Sequence, residues 1–142
     1  MKKLITQATI TSCINEENEN ALIQSVIAFI KHTTKVHLNT EKANDIKTAL
    51  TEALNNAIYF AYPNNQGKVS VSISIYDNKV LKLKIRDYGC GIKDIAKAIE
   101  PLFTTEKNNA GLGFTVMESF SDKLNVKSTI GKGTIVTIEF KM

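Results

Sequence analysis

Two short segments near the middle of the chain alternate apolar and polar residues, and this alternation constrains the fold more than any other feature of the sequence. The apolar positions are Val69, Val71, Ile73 and Ile75 in the first segment and Leu81, Leu83 and Ile85 in the second. Because successive side chains of a strand point to opposite faces, each segment predicts a β-strand with one buried face. Asp77-Asn-Lys79 lies between them and predicts a hairpin turn, which requires the two strands to be antiparallel.

The segments on either side of this hairpin predict helices and further strands. The apolar positions of the first helix, Leu22, Ile23, Val26, Ile27 and Ile30, recur at helical spacing, and Thr40 is a candidate N-cap for the second. Besides the hairpin, we expect a strand over 3–11, helices over 16–36, 40–62, 93–99 and 111–121, and closing strands over 124–129 and 134–140. This order predicts an α+β fold: a two-layer α/β sandwich in which helices cover one face of a mixed, mainly antiparallel sheet.

Length and composition predict one cytosolic domain over residues 1–142. The apolar share is 43% and the charged share 23%, as in globular proteins, and no apolar run approaches the ~20 residues that span a bilayer. Cys13 and Cys90 are the only cysteines and lack metal-site spacing. The net charge is +4, but the lysines are dispersed along the chain, so we expect a solvated basic surface that binds neither nucleic acid nor membrane.

The second predicted helix carries Glu52 and Asn56, which are four residues apart. Such positions lie roughly 40° apart on a helix, so the two side chains project together. An amide oxygen suits Mg²⁺, and a neighbouring carboxylate can deprotonate a hydroxyl. The simpler alternative is that both residues belong to the solvated face of the helix.

The second hairpin strand ends in Asp87-Tyr-Gly-Cys-Gly91. A carboxylate at a strand end can accept a hydrogen bond from the amino group of adenine. Gly89 and Gly91 leave room for a planar base against the backbone. The alternative is an ordinary Asp-Gly turn, and these residues alone do not decide between the two.

Two further glycine motifs follow. Gly111-Leu-Gly113 opens a predicted helix, and free N–H groups at a helix N-terminus bind phosphate. The loop over 104–110 has few large apolar residues, so little burial would hold it in one conformation. We expect it to be mobile or variably ordered without a nucleotide and to close when a γ-phosphate is bound. Gly131-Lys-Gly133 is read most simply as a hairpin turn, with Thr134 entering the last strand.

The order of these motifs resembles the ATPase/kinase superfamily of DNA gyrase B, heat-shock chaperones, sensor histidine kinases and the mismatch-repair protein MutL. Three blocks narrow the resemblance to the bacterial sporulation anti-sigma F factors: Thr51-Glu-Ala-Leu-Asn-Asn-Ala-Ile58, Pro101-Leu-Phe-Thr-Thr105 and Gly111-Leu-Gly-Phe-Thr-Val-Met-Glu-Ser-Phe120. The resemblance implies the Bergerat-type ATP-binding fold and a homodimer. It also implies an ATP- and Mg²⁺-dependent serine kinase that silences a sigma factor and phosphorylates an anti-anti-sigma antagonist.

The resemblance also implies a role for each matching residue. Glu52 would be the catalytic base, Asn56 the magnesium ligand and Asp87 the adenine acceptor. The nucleotide site would further be lined by Gly89, Gly91, Thr105, Gly111, Leu112, Gly113 and Thr134. The chain departs from the family at Phe60-Ala61, where His-Gly is usual, at Asn109 in place of a lid arginine, and near Ile23, where an arginine is expected.

Two other functions remain open from the sequence. The first is a detached catalytic domain of a sensor histidine kinase, although the residues after His32 and His37 do not resemble its phosphoacceptor motif. The second is a nucleotide-gated binding module without transfer activity, in which Glu52 would be dispensable.

Overall fold

The structure is a computed structural model that describes residues 2–33, 37–92 and 110–142, with the side chains of 110–112 outside that description. The predicted helix over 93–99 therefore lies outside the described residues. The elements are β1 (Leu4–Ile14), α1 (Glu19–Lys31), α2 (Thr40–Asn56), a π-helical turn (Ala57–Ala61), β2 (Gly67–Tyr76), β3 (Val80–Asp87), α3 (Ala110–Ser119), β4 (Lys123–Thr129) and β5 (Gly133–Lys141).

The strands form one five-stranded sheet in the order β1-β2-β3-β5-β4. All four pairings between the described strands are antiparallel. The predicted hairpin is present: Ile73 lies opposite Leu83, and the Lys79 N–H donates to the Tyr76 carbonyl at 3.1 Å. The α+β class with a mainly antiparallel sheet is thus confirmed.

The helices cover one face of the sheet. Inward-facing residues of β2 and β3, such as Val71 and Leu83, are completely buried against helix residues such as Val26 and Leu50. Burying one side chain of this size contributes about 1.5–3 kcal/mol. The five apolar positions predicted for the first helix are all buried. Within the described part of the chain, no helix is long and apolar enough to cross a membrane.

The β1–α1 junction differs from the sequence prediction. β1 continues to Ile14 rather than ending at residue 11, and α1 begins at Glu19 rather than near residue 16. Between them, the Asn15 side chain accepts from the N–H groups of Glu17 (2.9 Å) and Asn18 (3.0 Å). These hydrogen bonds hold a turn and delay the helix, as expected of asparagine outside regular structure.

The start of α2 is also corrected. Its N-cap is Asn39, not Thr40, because the Asn39 side-chain oxygen accepts from the Lys42 N–H at 2.7 Å. The α-helix ends at Asn56, and the chain continues directly into the wider π-helical turn Ala57–Ala61. π-Helical turns are rare and occur frequently at functional sites.

Candidate functional site

Asp87 lies at the end of β3 and is one of the few buried charged residues of the described chain, with 8% of its surface exposed. Its Oδ1 accepts hydrogen bonds from the N–H groups of Gly89 (3.0 Å) and Thr134 (3.1 Å). Burial raises the pKa of the Asp87 carboxyl, and these two hydrogen bonds oppose the rise. The carboxylate is therefore held in one orientation, and its Oδ2 makes no hydrogen bond to any described residue.

The loop after Asp87 packs against the π-helical turn. The Cys90 N–H donates to the Ala61 carbonyl at 3.0 Å. A Cβ at Gly89 would stand 2.2 Å from the same carbonyl oxygen, so any larger residue would displace backbone. Gly91 follows with a φ of 82°, and the Cys90 carbonyl accepts from the Gly131 N–H at 2.9 Å. The loop is thus fixed between the end of α2 and the β4–β5 turn.

The sequence interpretation missed Tyr62 as a contributor to this loop. Its hydroxyl accepts from the Tyr88 N–H at 2.7 Å and donates to the Lys68 carbonyl. One side chain therefore joins the end of the π-helical turn to the first residue after β3 and to β2. No pattern in the sequence links Tyr62 to Tyr88, which lies 26 positions further along the chain.

Ser128 was also missed. Its hydroxyl accepts from the Ile92 N–H at 2.7 Å and lies 2.8 Å from the Thr134 hydroxyl. Thr134 itself is buried, with 6% of its surface exposed. The sequence did contain a signal for Ser128. It occupies the inward-facing position that follows Leu124 and Val126 in the alternation of β4, and a polar residue at such a position indicates a hydrogen-bonding role.

Glu52 and Asn56 project together from α2, as predicted, and face the first turn of α3. A Cβ at Gly113 would lie 3.2 Å from Asn56 Oδ1 and 3.4 Å from Glu52 Oε2. Phe114 and Met117, which follow Gly113, are buried in the core and hold α3 against α2. Burial raises the pKa of the Glu52 carboxyl, which makes it a stronger base than a solvated glutamate.

The Asn56 amide has an unusual environment. Its Nδ2 is buried and has no hydrogen-bond partner among the described residues. Buried polar atoms are nearly always paired, and an amide NH₂ is a donor, so this atom suits an acceptor such as a phosphate oxygen or a water. An amide next to a carboxylate at a helix N-terminus fits a magnesium–nucleotide group: the Asn56 oxygen suits Mg²⁺, and the N–H groups of α3 suit phosphate.

Asn55 points away from Asn56, as its place on the helix predicts. With its amide nitrogen turned toward α1, Asn55 donates to both carboxylate oxygens of Glu19, at 2.7 and 3.1 Å. Burial, followed by the negative charges of Glu16 and Glu52, raises the pKa of Glu19. The Glu19 carboxylate of α1 therefore lies near the Glu52 end of the site.

The structure brings the predicted site residues into two groups. Asp87, Gly89, Gly91 and Thr134 surround the end of β3, whereas Glu52, Asn56 and Gly113 meet between α2 and α3. The π-helical turn joins the groups, since it continues directly from Asn56 and packs on Gly89. Gly111 and Leu112 lie in the first turn of α3, which begins at Ala110 rather than Gly111. Thr105 and the predicted lid up to residue 109 lie outside the described residues.

Comparison with known families places this geometry in context. Residues 17–140 match the histidine kinase-like ATPase domain. The chain is 44% identical over 122 residues to the anti-sigma F factor of Caldanaerobacter subterraneus subsp. tengcongensis, covering 84% of this chain and 82% of the relative. It is 42% identical over 126 residues to the anti-sigma F factor of Geobacillus stearothermophilus, covering 87% and 84%.

Solved structures agree on the fold. The histidine kinase domain of the Erythrobacter litoralis blue-light activated histidine kinase superposes with a TM-score of 0.59 at 22% identity, over 87% of this chain and 60% of that one. The mycobacterial sensor histidine kinase MprB gives a TM-score of 0.60 at 17% identity, over 94% and 97%. At such identities the likeness concerns the fold alone. The Bergerat-type fold is thereby confirmed, and the chain belongs to the anti-sigma F factors of the histidine kinase-like ATPase family.

Proposed function

We propose that this chain is an ATP-binding anti-sigma factor with protein serine kinase activity, which sequesters a sigma factor and phosphorylates a serine of an anti-anti-sigma antagonist. The observation that supports the kinase part is the pairing of Glu52 and Asn56 against Gly113, in a chain that also buries an oriented carboxylate at the end of β3. The sigma factor and the antagonist are inferred from membership of the anti-sigma F factors.

Adenine is recognised by Asp87. Two backbone N–H groups occupy Oδ1 and fix the carboxylate plane, so Oδ2 is directed to accept from the amino group of the base. Gly89 lets the loop lie directly on Ala61, which leaves no side chain between the base and the backbone. The Ser128 hydroxyl lies 2.8 Å from that of Thr134, whose backbone N–H donates to this carboxylate.

The phosphates would be held by the start of α3. Gly113 allows its backbone to approach the Asn56 side chain, and the free N–H groups at the start of α3 would donate to phosphate oxygens. Asn56 would hold Mg²⁺ through its side-chain oxygen. The ion would offset the negative charge of the phosphates during transfer.

Glu52 is the general base for transfer. It accepts the hydroxyl proton as the serine oxygen bonds to the γ-phosphorus and the bond to the β–γ bridging oxygen breaks, releasing ADP. Its burial favours this step because the carboxylate binds a proton more readily than in water.

A homodimer is the proposed assembly. β1 is an edge strand of eleven residues, and its outer edge pairs with no described strand. Leu4 and Ile5 on this strand are 43% and 39% exposed, which is unusual for large apolar side chains at a free edge. Strand addition across a two-fold axis would pair the edge and cover these residues. Sedimentation that gives the 15.7 kDa mass of one chain at every micromolar concentration would reject the dimer.

The kinase activity is tested by incubating the chain with γ-labelled ATP and the anti-anti-sigma protein encoded by the same cell. We expect label on the antagonist in an acid-stable form, as for a serine phosphate. Acid-labile label on the chain itself would instead support a histidine kinase. Tight ATP binding with no labelled protein would support a nucleotide-gated binding module, and the serine kinase proposal would be withdrawn.

A further inference from the structure

The face of the sheet that the helices leave uncovered gathers most of the basic residues of the strands. We call it the open face. On β3, Lys82, Lys84 and Arg86 alternate with the buried residues Leu83 and Ile85. The register places the remaining strand cations of the open face on neighbouring strands: Lys68 on β2, Lys123 and Lys127 on β4, and Lys141 on β5.

The open face carries many positive charges and few negative ones. Glu139 is its single carboxylate among the described residues, and it is already 3.8 Å from the Lys123 ammonium. The strand residues of this face therefore have a formal charge of +6, which exceeds the +4 of the whole chain, and Lys2 adds a further cation over the Tyr76 ring. Lysines that are dispersed in the sequence are thus brought together on one positive surface.

The cations of β3 form a regular row. Alternate residues of a strand are about 6.8 Å apart, so Lys82, Lys84 and Arg86 project at that spacing along the middle of the open face. An extended peptide repeats its alternate side chains at the same spacing. Carboxylates at every second position of such a peptide would match the row one to one.

Side chains beside the row shape a shallow trough of about 740 Å³. Hydroxyl groups line it next to β3, since Ser72 lies opposite Lys84 on one side and Thr137 on the other. These groups can donate to carboxylate oxygens between the ammonium contacts. The trough therefore offers charge and hydrogen-bond donors, with few apolar groups.

Other anionic partners fit the open face less well. The Tyr76 ring has Lys2 and Lys82 over it at 4.6 and 5.7 Å, and the Tyr88 ring has Lys68 and Arg86 at 4.9 and 4.8 Å. The cations over these rings compete with nucleic-acid bases for the ring faces, and stacking on such faces is a principal contribution to single-strand binding. Insertion into a membrane would require exposed apolar side chains, and the trough is lined mainly by polar ones.

We propose that the open face is a docking surface for an extended acidic segment of a partner protein. This surface is separate from the nucleotide site, because Asp87 points to the helix-covered side of the sheet while Arg86 and Lys84 point to the other. The inference goes beyond the proposed kinase function and does not depend on it.

A double charge reversal tests the proposal. The probe is a fluorescent peptide that alternates glutamate and threonine, and its anisotropy is measured at low salt with the full chain. Lys84→Glu with Lys127→Glu should weaken binding by about tenfold or more, because two contacts become repulsive. Neither side chain makes an ion pair among the described residues, so the fold should persist.

The matched control is Lys31→Glu with Lys47→Glu, which changes the net charge equally on exposed positions of α1 and α2. We expect it to bind the peptide within about twofold of the wild type. The proposal is overturned if the wild type does not bind the peptide, or if both double variants lose binding equally. It is also overturned if oligothymidylate of the same length, or phosphatidylserine vesicles, bind more tightly than the peptide.

Discussion

The two faces of the sheet hold their polar groups in opposite ways. On the helix-covered side Asp87 and Thr134 are almost fully buried, and each has fixed hydrogen-bond partners. On the open face the cations are numerous, mostly exposed and rarely paired. A buried hydrogen bond to a charged group contributes about 1.5–3 kcal/mol, whereas an exposed ion pair contributes about 0–1 kcal/mol. On the helix-covered side, single substitutions should therefore have large effects on function or stability. On the open face, only combined substitutions should have a large effect on binding.

The largest effect is expected at Glu52. Glu52→Gln should lower phosphotransfer by about 10²–10⁴-fold, because glutamine keeps the shape of the side chain but cannot accept the serine proton. Glu41→Gln, which changes an exposed carboxylate in the first turn of α2, is the control and should leave the rate unchanged. Transfer to the antagonist is measured by label incorporation, and a normal rate in Glu52→Gln would show that Glu52 is only a surface residue.

The same variant should not be less stable than the wild type. Since burial raises the pKa of Glu52 in the folded chain above its unfolded value, the ionised carboxylate opposes folding at neutral pH, and this cost is relieved as the pH falls. Removing the charge removes the cost. A melting temperature well below that of the wild type would contradict this expectation.

The second largest effect is expected from a substitution at Gly89. Gly89→Ala should destabilise the chain by about 1–3 kcal/mol and weaken nucleotide binding, because the new Cβ would stand 2.2 Å from the Ala61 carbonyl oxygen. Cys90→Ala in the same loop removes atoms rather than adding them, and should change stability by less than about 0.5 kcal/mol. Chemical denaturation of both variants measures the difference. Equal stabilities would show that the loop does not lie on the π-helical turn.

A smaller effect concerns the pH dependence of transfer. The reaction needs ionised Glu52, so the rate should fall as the pH drops through the raised pKa of this residue, above the usual glutamate value of 4.5. The acid limb is read from the rate of antagonist labelling under single-turnover conditions. An acid limb at or below 4.5 would indicate that Glu52 is solvated or takes no part in proton transfer.

Much of the helix-covered face could be predicted from sequence, because local patterns encode it. The apolar spacing of α1 identified all five of its buried residues, and alternation identified the β2–β3 hairpin. Asp87 was predicted as a site residue because the order of the short motifs around it resembles a known family, whereas its own motif left an ordinary turn open. By contrast, Tyr62 contacts Tyr88 far away in the sequence, and no local pattern reports that contact. The alternation of β4 could have placed Ser128 on the inward face, but not its contact with Ile92.

The clustering of cations on the open face could not be predicted from the sequence, for a different reason. Lys84 and Lys127 are far apart in the chain and share no motif, and only the pairing of β3 and β4 with β5 brings them to one surface. Strand order between non-consecutive elements depends on tertiary packing. The alternation of Lys82, Lys84 and Arg86 was visible, but it predicted only that these residues would lie outside the core.

Calorimetric titration of ADP into Asp87→Asn tests the central claim most directly. The amide oxygen can still accept from Gly89 and Thr134, so the fold should persist, and loss of the buried charge should leave the melting temperature unchanged or higher. The amide would face adenine with a donor or with a weaker acceptor, so affinity should fall about tenfold to a hundredfold. Asp77→Asn in the β2–β3 turn is the control and should bind ADP normally. A folded Asp87→Asn chain with wild-type affinity would contradict the placement of the nucleotide site.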